Sequence, residues 1–197
     1  MQGVLRTSAG YAGGSEPNPS YAKMKGYSEA VLVEFNPQEI SYQQLLDIFW
    51  ASHDPSYKVY SRQYRNAIFY LSEEQRIQAE QSREHIQKIK KRTVYTAIEK
   101  AGDFYLAEDY HQKYYLRRMD KLLGELKEMY PKDDMFAAST AAARINGYLG
   151  CNGKPQDLQQ EIGLLGLSAA AQNALVEYVS KKCSRFEGVT CPAPKRE

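Results

Sequence analysis

Residues 8–29 read SAGYAGGSEPNPSYAKMKGYSE, a glycine- and tyrosine-rich excursion that ends at one carboxylate, Glu29. The run before it, residues 4–11 (VLRTSAGY), has the β-branched start and glycine-bearing end of a strand. Residues 30–35 (AVLVEF) begin a second strand, closed by Asn36 and Pro37. No packing requirement explains so long a connection. Glycine turns, an Asn-Pro dipeptide and tyrosines on such a loop mark it as the place to look for a site.

Working outward, Ser41 and Gln44 have the spacing of a capping box. Leu45, Leu46, Ile48 and Phe49 then form an apolar face at helical spacing, with Trp50 alongside, until residues 53–55 (HDP) stop it. Residues 66–71 (NAIFYL) read as a third strand. Ser72 and Gln75 repeat the capping spacing, and Glu73 and Glu74 suit the positive end of the helix that follows, to about Lys90. That helix has only Ile77, Ala79, Ile86 and Ile89 to bury, which puts it at the surface, and its basic end, residues 88–92 (KIKKR), reads as a solvated helix terminus. Residues 93–99 (TVYTAIE) are strand-like, and helix is expected from Glu108. Past Met119 the pattern turns helical over residues 121–130, 135–145 and 168–182, with a turn-rich break at residues 146–157 (NGYLGCNGKPQD). The order β-β-α-β-α-β followed by helices argues an α+β domain, residues 1–118, and a helical C-terminal extension, residues 119–197.

Composition narrows the function. A net charge of +2 gives no case for nucleic acid or for an anionic membrane surface, and no apolar run is long enough to span a bilayer. Cys151, Cys183 and Cys191 are too few and too scattered for a secreted disulfide framework, so a cytoplasmic monomer is expected. His53 and His85 have no second ligand at a usable spacing, so neither a metal nor a cofactor is expected. The strand that starts almost at residue 1 reads as a chain that has lost something upstream, which leaves an organellar location open.

Five segments together carry a resemblance: residues 3–21 (GVLRTSAGYAGGSEPNPSY), then Glu29 opening a strand that ends FNP, residues 41–55 (SYQQLLDIFWASHDP), residues 63–70 (QYRNAIFY) and residues 104–116 (FYLAEDYHQKYYL). In that order, from Gly3 to Leu116, they resemble the A-type methionine sulfoxide reductases, in a divergent branch. The resemblance implies a ferredoxin-like (βαββαβ-type) α/β roll. It also implies reduction of methionine-S-sulfoxide, free or in proteins, by a cysteine thiolate, with a second thiol and thioredoxin or a similar thiol reductant completing the cycle. Because the sulfoxide oxygen leaves poorly unless protonated, such a site needs an acid and hydroxyl donors. By resemblance Glu29 is that acid, and Tyr21 and Tyr64 are the hydroxyls that orient the sulfoxide.

The departures matter as much. Tyr27 and Ser28 precede Glu29 where the family has a histidine and a small residue. Residues 56–62 (SYKVYSR) contain no acid where many members carry an aspartate. The family's nucleophile lies in a Gly-Cys-Phe-Trp-Gly strand-to-helix segment ahead of the position of Gly3, and these 197 residues contain no such segment. Trp50 is no substitute, since it sits inside the helix that follows Ser41. The expectation is therefore a roll without its first strand and helix, inactive as it stands, with Cys151, Cys183 and Cys191 as possible resolving thiols. The alternative is a non-catalytic pseudo-enzyme or interaction protein on the same fold. Residues 108–111, His111 included, are expected to be a structural helix start that touches the site loop.

Overall fold

Strand pairing divides the chain's β structure in two. In the computed structural model, which describes residues 2–183, β1 (Val4–Ala12), β2 (Ser28–Phe35) and β5 (Tyr105–Leu106) form a sheet in the order β2-β1-β5. β3 (Ala67–Tyr70) and β4 (Ala97–Lys100) form a second, parallel pair in which Ala67 faces Ala97 and Tyr70 faces Lys100. A parallel pair needs a long crossover, and α2 (Glu73–Lys90) supplies it. The fold class is mixed α/β. Two compact units result: residues 9–32 with 37–108, and residues 1–8 with 33–36 and 109 onward.

In the first unit, α1 (Tyr42–Ala51) starts at the expected capping box, with Ser41 accepting from the Gln44 amide and the Gln44 side chain accepting from that of Ser41. The second cap differs from expectation. Ser72 accepts from the Gln75 amide, but the Gln75 side chain takes the amide of Leu71 instead. Leu46 and Trp50 of α1 pack with Ile68, Ala79 and Val94 into one core. Ser82 of α2 is buried because its hydroxyl accepts the Trp50 indole N–H, which satisfies both polar groups. Ile77 and Ile89, expected to help bury α2, are exposed. Tyr11, Tyr27 and Ala107 form a smaller cluster under the glycine loop, where Tyr27 meets Tyr105 edge to face at 5.6 Å. Gly14 must be glycine here, since a Cβ would fall 2.0 Å from the Tyr27 ring.

The second unit is helical: α3 (Asp120–Met129), α4 (Asp133–Ala138), α5 (Thr140–Leu149), α6 (Pro155–Glu161) and α7 (Ala169–Lys182). Leu122, Leu126, Phe136, Ile145, Leu158, Leu175 and Val179 fill its core. The start of β1 and the end of β2 belong to this unit, tied by the Asn36 amide to the Gly3 carbonyl at 2.8 Å and by Thr140 Oγ1 to the Leu5 carbonyl at 2.7 Å.

Three local expectations change. The helix expected from Glu108 is replaced by two 3-10 turns, Asp109–His111 and Leu116–Arg118. Lys113 lies between them at φ +55°, in the left-handed region, which no helix continues through. The break expected at residues 146–157 is partly helix. Asn146 stays inside α5 because its side-chain oxygen accepts the Tyr115 and Leu116 amides, and Pro155 opens α6 at a first-turn position where its missing N–H does no harm. The short β5 was not expected at all, because its pairing partner β1 is far away in sequence.

Cys151, in the turn after α5, and Cys183, at the end of α7, form a disulfide with 32 residues of separation. Closing a loop of that size stabilises the fold by about 3–4 kcal/mol in the chain-entropy account. Reduction with dithiothreitol, or a Cys151→Ser/Cys183→Ser double change, is expected to lower the melting temperature by about 10 °C in a circular dichroism melt. An unchanged melt would show that the bond constrains nothing.

Lys113 carries an ammonium into the same unit at 5% exposure, donating to the carbonyls of Thr7 and, at 2.7 Å, Ala137. Burial pushes its pKa down from the ordinary 10.5 to about 8. Between those values the unfolded chain binds more protons than the folded one, so stability rises with pH across the window, and the burial cost is fully present below it. Urea melts are expected to show that rise from about pH 8 to pH 10, and Lys113→Met should flatten this contribution.

Candidate active site

The loop between β1 and β2 is an ordered excursion. Ser20 and Lys23 exchange backbone hydrogen bonds at 3.1 and 2.9 Å, the Tyr27 amide reaches the Met24 carbonyl at 2.8 Å, and Lys25 Nζ reaches the Pro17 carbonyl at 2.7 Å. Asn18, Lys25 and Gly26 turn the chain at positive φ. Asparagine and glycine accept that conformation readily, and Lys25 adopts it with its side chain tied down.

Two residues from elsewhere hold the loop. Arg62 donates from Nε to the Gly26 carbonyl and from Nη2 to the Gly13 carbonyl at 2.7 Å, so one guanidinium ties the two ends together. Glu108 accepts the Tyr11 hydroxyl on one carboxylate oxygen and the Tyr21 amide, at 3.1 Å, on the other. The expectation that residue 108 touches the site loop is met, though through a carboxylate beside a 3-10 turn instead of a helix start.

The three residues singled out by resemblance come together in one unit. The hydroxyls of Tyr21 and Tyr64 lie 3.2 Å apart, in hydrogen-bond contact. Glu29, exposed at the start of β2, accepts the Gln63 side-chain amide at 2.8 Å, and its own backbone N–H donates to the Gln63 carbonyl at 2.9 Å. Gln63 and Tyr64 are consecutive, so the loop segment that orients the carboxyl also carries the second hydroxyl. The Tyr64 phenol is held above its ordinary pKa, first by its hydrogen bond with Tyr21, then by desolvation, with the charges of Tyr21 and Glu29 adding to the effect. It therefore remains a neutral hydroxyl, able to donate, at physiological pH.

Behind these groups is a chain of contacts through the buried Ser28. Ser28 Oγ donates to the Arg62 carbonyl at 2.8 Å and accepts from Arg65 Nε at 2.8 Å, while Arg65 makes a two-pronged ion pair with Glu99. Arg65 holds the Glu99 carboxyl below its usual range. Ser28 ahead of Glu29 thus has a role: its small hydroxyl links the Arg62 carbonyl to the Arg65 guanidinium and fixes the strand end. Gln63 and Arg62 were missed as site residues, and for Glu108 only the contact with the loop, not its partners Tyr11 and Tyr21, was expected. The adjacency of Gln63 to Tyr64 was a usable signal, but nothing in local spacing ties Arg62 to Gly13 or Glu108 to Tyr21.

The cysteines stand differently from expectation. Cys151 and Cys183 are joined to each other, and Cys183 is buried within the helical core, so neither has a thiol in this state. Cys191 lies outside the described residues. Chemically, two converging hydroxyls and an oriented carboxyl suit an oxygen atom that gains negative charge and then a proton.

A family profile described as peptide methionine sulfoxide reductase matches residues 1–142, running past the glycine loop into the helical segment. A peptide methionine sulfoxide reductase MsrA of Methanococcus maripaludis is 40% identical over 134 residues, 63% of this chain and 85% of that protein. The peptide methionine sulfoxide reductase of Drosophila melanogaster is 34% identical over 192 residues, 96% of this chain and 76% of that protein. Among solved structures, reduced Mxr1 of Saccharomyces cerevisiae superposes with a TM-score of 0.55 at 28% identity, over 60% of this chain and 74% of that one. Methionine sulfoxide reductase A of Corynebacterium diphtheriae gives 0.52, also at 28% identity, over 60% and 66%. The chain belongs to the peptide methionine sulfoxide reductase family.

Proposed function

We propose that the chain serves peptide-methionine (S)-S-oxide reduction, and that residues 13–29 with residues 62–64 form the oxygen-facing half of the sulfoxide pocket. One observation carries the reading: the Tyr21 and Tyr64 hydroxyls meet on the segment whose Gln63 holds the Glu29 carboxyl. The hydroxyls orient the sulfoxide oxygen, and Glu29 gives it a proton as sulfur is attacked. A cysteine thiolate attacks the sulfoxide sulfur, the oxygen passes to the thiol as a sulfenic acid, and methionine leaves. A second thiol converts the sulfenic acid to a disulfide with loss of water, and an external dithiol restores both thiols. Two electrons from thiols balance the step, so the chemistry asks for no cofactor.

The nucleophile in this reading belongs to the family's Gly-Cys-Phe-Trp-Gly segment, which also supplies the aromatic cage for the substrate methyl group. Its strand would lie between β2 and β3 in a ferredoxin-like roll. The observed sheets support that reading, since β2 is an edge of one and β3 an edge of the other. Residues 1–118 are then the reductase domain and residues 119–197 its extension. Cys151, Cys183 and Cys191 are the candidates for the second thiol, the first two available only after a thioredoxin-like reductant opens their disulfide. The reading is of a monomer acting on oxidised methionine in the cytoplasm or an organelle, without nucleic acid or membrane. No helix among the described residues is long and apolar enough to cross a bilayer.

The 197-residue chain with dithiothreitol is expected not to reduce an N-acetyl-methionine-S-sulfoxide substrate, whereas a form carrying Gly-Cys-Phe-Trp-Gly ahead of Gly3 should do so. In that form Glu29→Gln should cut the rate roughly a hundredfold or more. Turnover by the chain alone would overturn the assignment of the nucleophile, and an unaffected Glu29→Gln variant would remove Glu29 from the mechanism.

A further inference from the structure

The segment that delivers Gln63 and Tyr64 also displays a group of side chains the pocket does not use. Tyr57 is 71% exposed and Tyr60 87%, and Tyr95 at 48% stands beside them. The Lys58 ammonium lies 5.1 Å from the centre of the Tyr60 ring and 5.8 Å from that of Tyr95. Single exposed tyrosines need no explanation. Here the Tyr60 and Tyr95 rings share one cation, and Tyr57 precedes that lysine on a segment pinned at both ends. At its start, Asp54 accepts the Ser56 amide at 3.1 Å and hydroxyl at 2.7 Å, and the Tyr95 amide reaches the Pro55 carbonyl at 2.9 Å. At its end Arg62 is tied to Gly13 and Gly26. Tyrosines presented on a fixed platform bind at low entropic cost, because few side-chain rotations remain to be frozen.

Tyr60 precedes Tyr64 by four residues, so their Cα atoms lie no more than about 14 Å apart. An extended polypeptide covers that distance in about four residues. We infer that Tyr57, Tyr60, Tyr95 and Lys58 form a docking surface for extended polypeptide substrate, receiving the side chains about four positions from the oxidised methionine. Acidic and aromatic residues fit best there. A carboxylate pairs with Lys58, and an aromatic ring stacks on the tyrosines that already hold the cation. The surface favours methionine sulfoxide within unfolded chain over the free amino acid, which cannot reach it. This inference depends on the pocket proposed above, whose occupant sets the position of the polypeptide.

The test uses the 197-residue chain and two probes. One is a fluorescein-labelled nonapeptide with central methionine-S-sulfoxide and acidic residues at both ends, followed by fluorescence anisotropy. The other is N-acetyl-methionine-S-sulfoxide N-methylamide, followed by NMR shift changes. The nonapeptide is expected to bind at least about tenfold more tightly than the amide. Tyr57→Ser/Tyr60→Ser should weaken nonapeptide binding about tenfold and leave the amide unchanged. Lys58→Glu should weaken the acidic nonapeptide and spare a version with lysines at its ends. All four positions being exposed or partly so, circular dichroism should show each variant folded. Equal nonapeptide affinity in the variants overturns the surface, as does equal affinity of wild-type chain for the two probes. A tyrosine variant that instead loses self-association in sedimentation, with nonapeptide binding intact, assigns the patch to a second copy and overturns it too. A wild-type chain that binds neither probe removes the pocket reading, and the surface with it.

Discussion

One guanidinium closes the loop on which the site depends. Arg62 bridges the carbonyls of Gly13 and Gly26, and a hydrogen bond to a charged group contributes about 1.5–3 kcal/mol, more than a neutral one. The bridge adds to the pairing of β1 with β2 and to the packing of Gly14 on the Tyr27 ring, which also bring the two ends of the loop together. The geometry of Tyr21 against Tyr64 follows from the closure, because Arg62, Gln63 and Tyr64 are consecutive. Movement of one shifts the loop anchor, the Glu29 partner and the Tyr64 hydroxyl together.

The same economy shows in how charge is handled. Arg65 spends its donors on Glu99 and on the buried Ser28 hydroxyl, which in turn holds the Arg62 carbonyl. Two arginines close in sequence thus support the loop, Arg62 through carbonyls and Arg65 through Glu99 and Ser28. Glu29, at the exposed end of β2, meets a neutral amide from Gln63 instead of an ion-pair partner. The amide orients the carboxyl without bringing a charge to it.

The helical unit is built on different terms. Its core is large and aliphatic, yet it also carries a cross-link and a buried ammonium, Lys113, whose partners are carbonyls. The disulfide ties the end of α7 to the turn after α5, and with it the point from which the last residues of the chain depart. The redox state of Cys151 and Cys183 is therefore a property of the unit's stability, whatever part the two sulfurs take in turnover.

Much of the fold was legible locally. Both serine caps and the apolar face of α1 are written in residues a turn apart, so short-range physics was enough to find them. So were the strands either side of the glycine loop, and the motif order singled out Glu29, Tyr21 and Tyr64, which the structure brings into one unit. Failures came where a distant partner overruled local preference. Asn146 stays helical because the Tyr115 and Leu116 amides use its side chain, Lys113 breaks a helix to reach Thr7 and Ala137, and β5 exists only through β1. Sequence by itself determined the family, because residue type and motif spacing are local. Only the tertiary structure decided that Gln63 serves Glu29, that Arg62 shuts the loop, and that Cys151 and Cys183 pair. Those contacts join residues 32 to 49 positions apart, and their partners are chosen by packing, which no local pattern records.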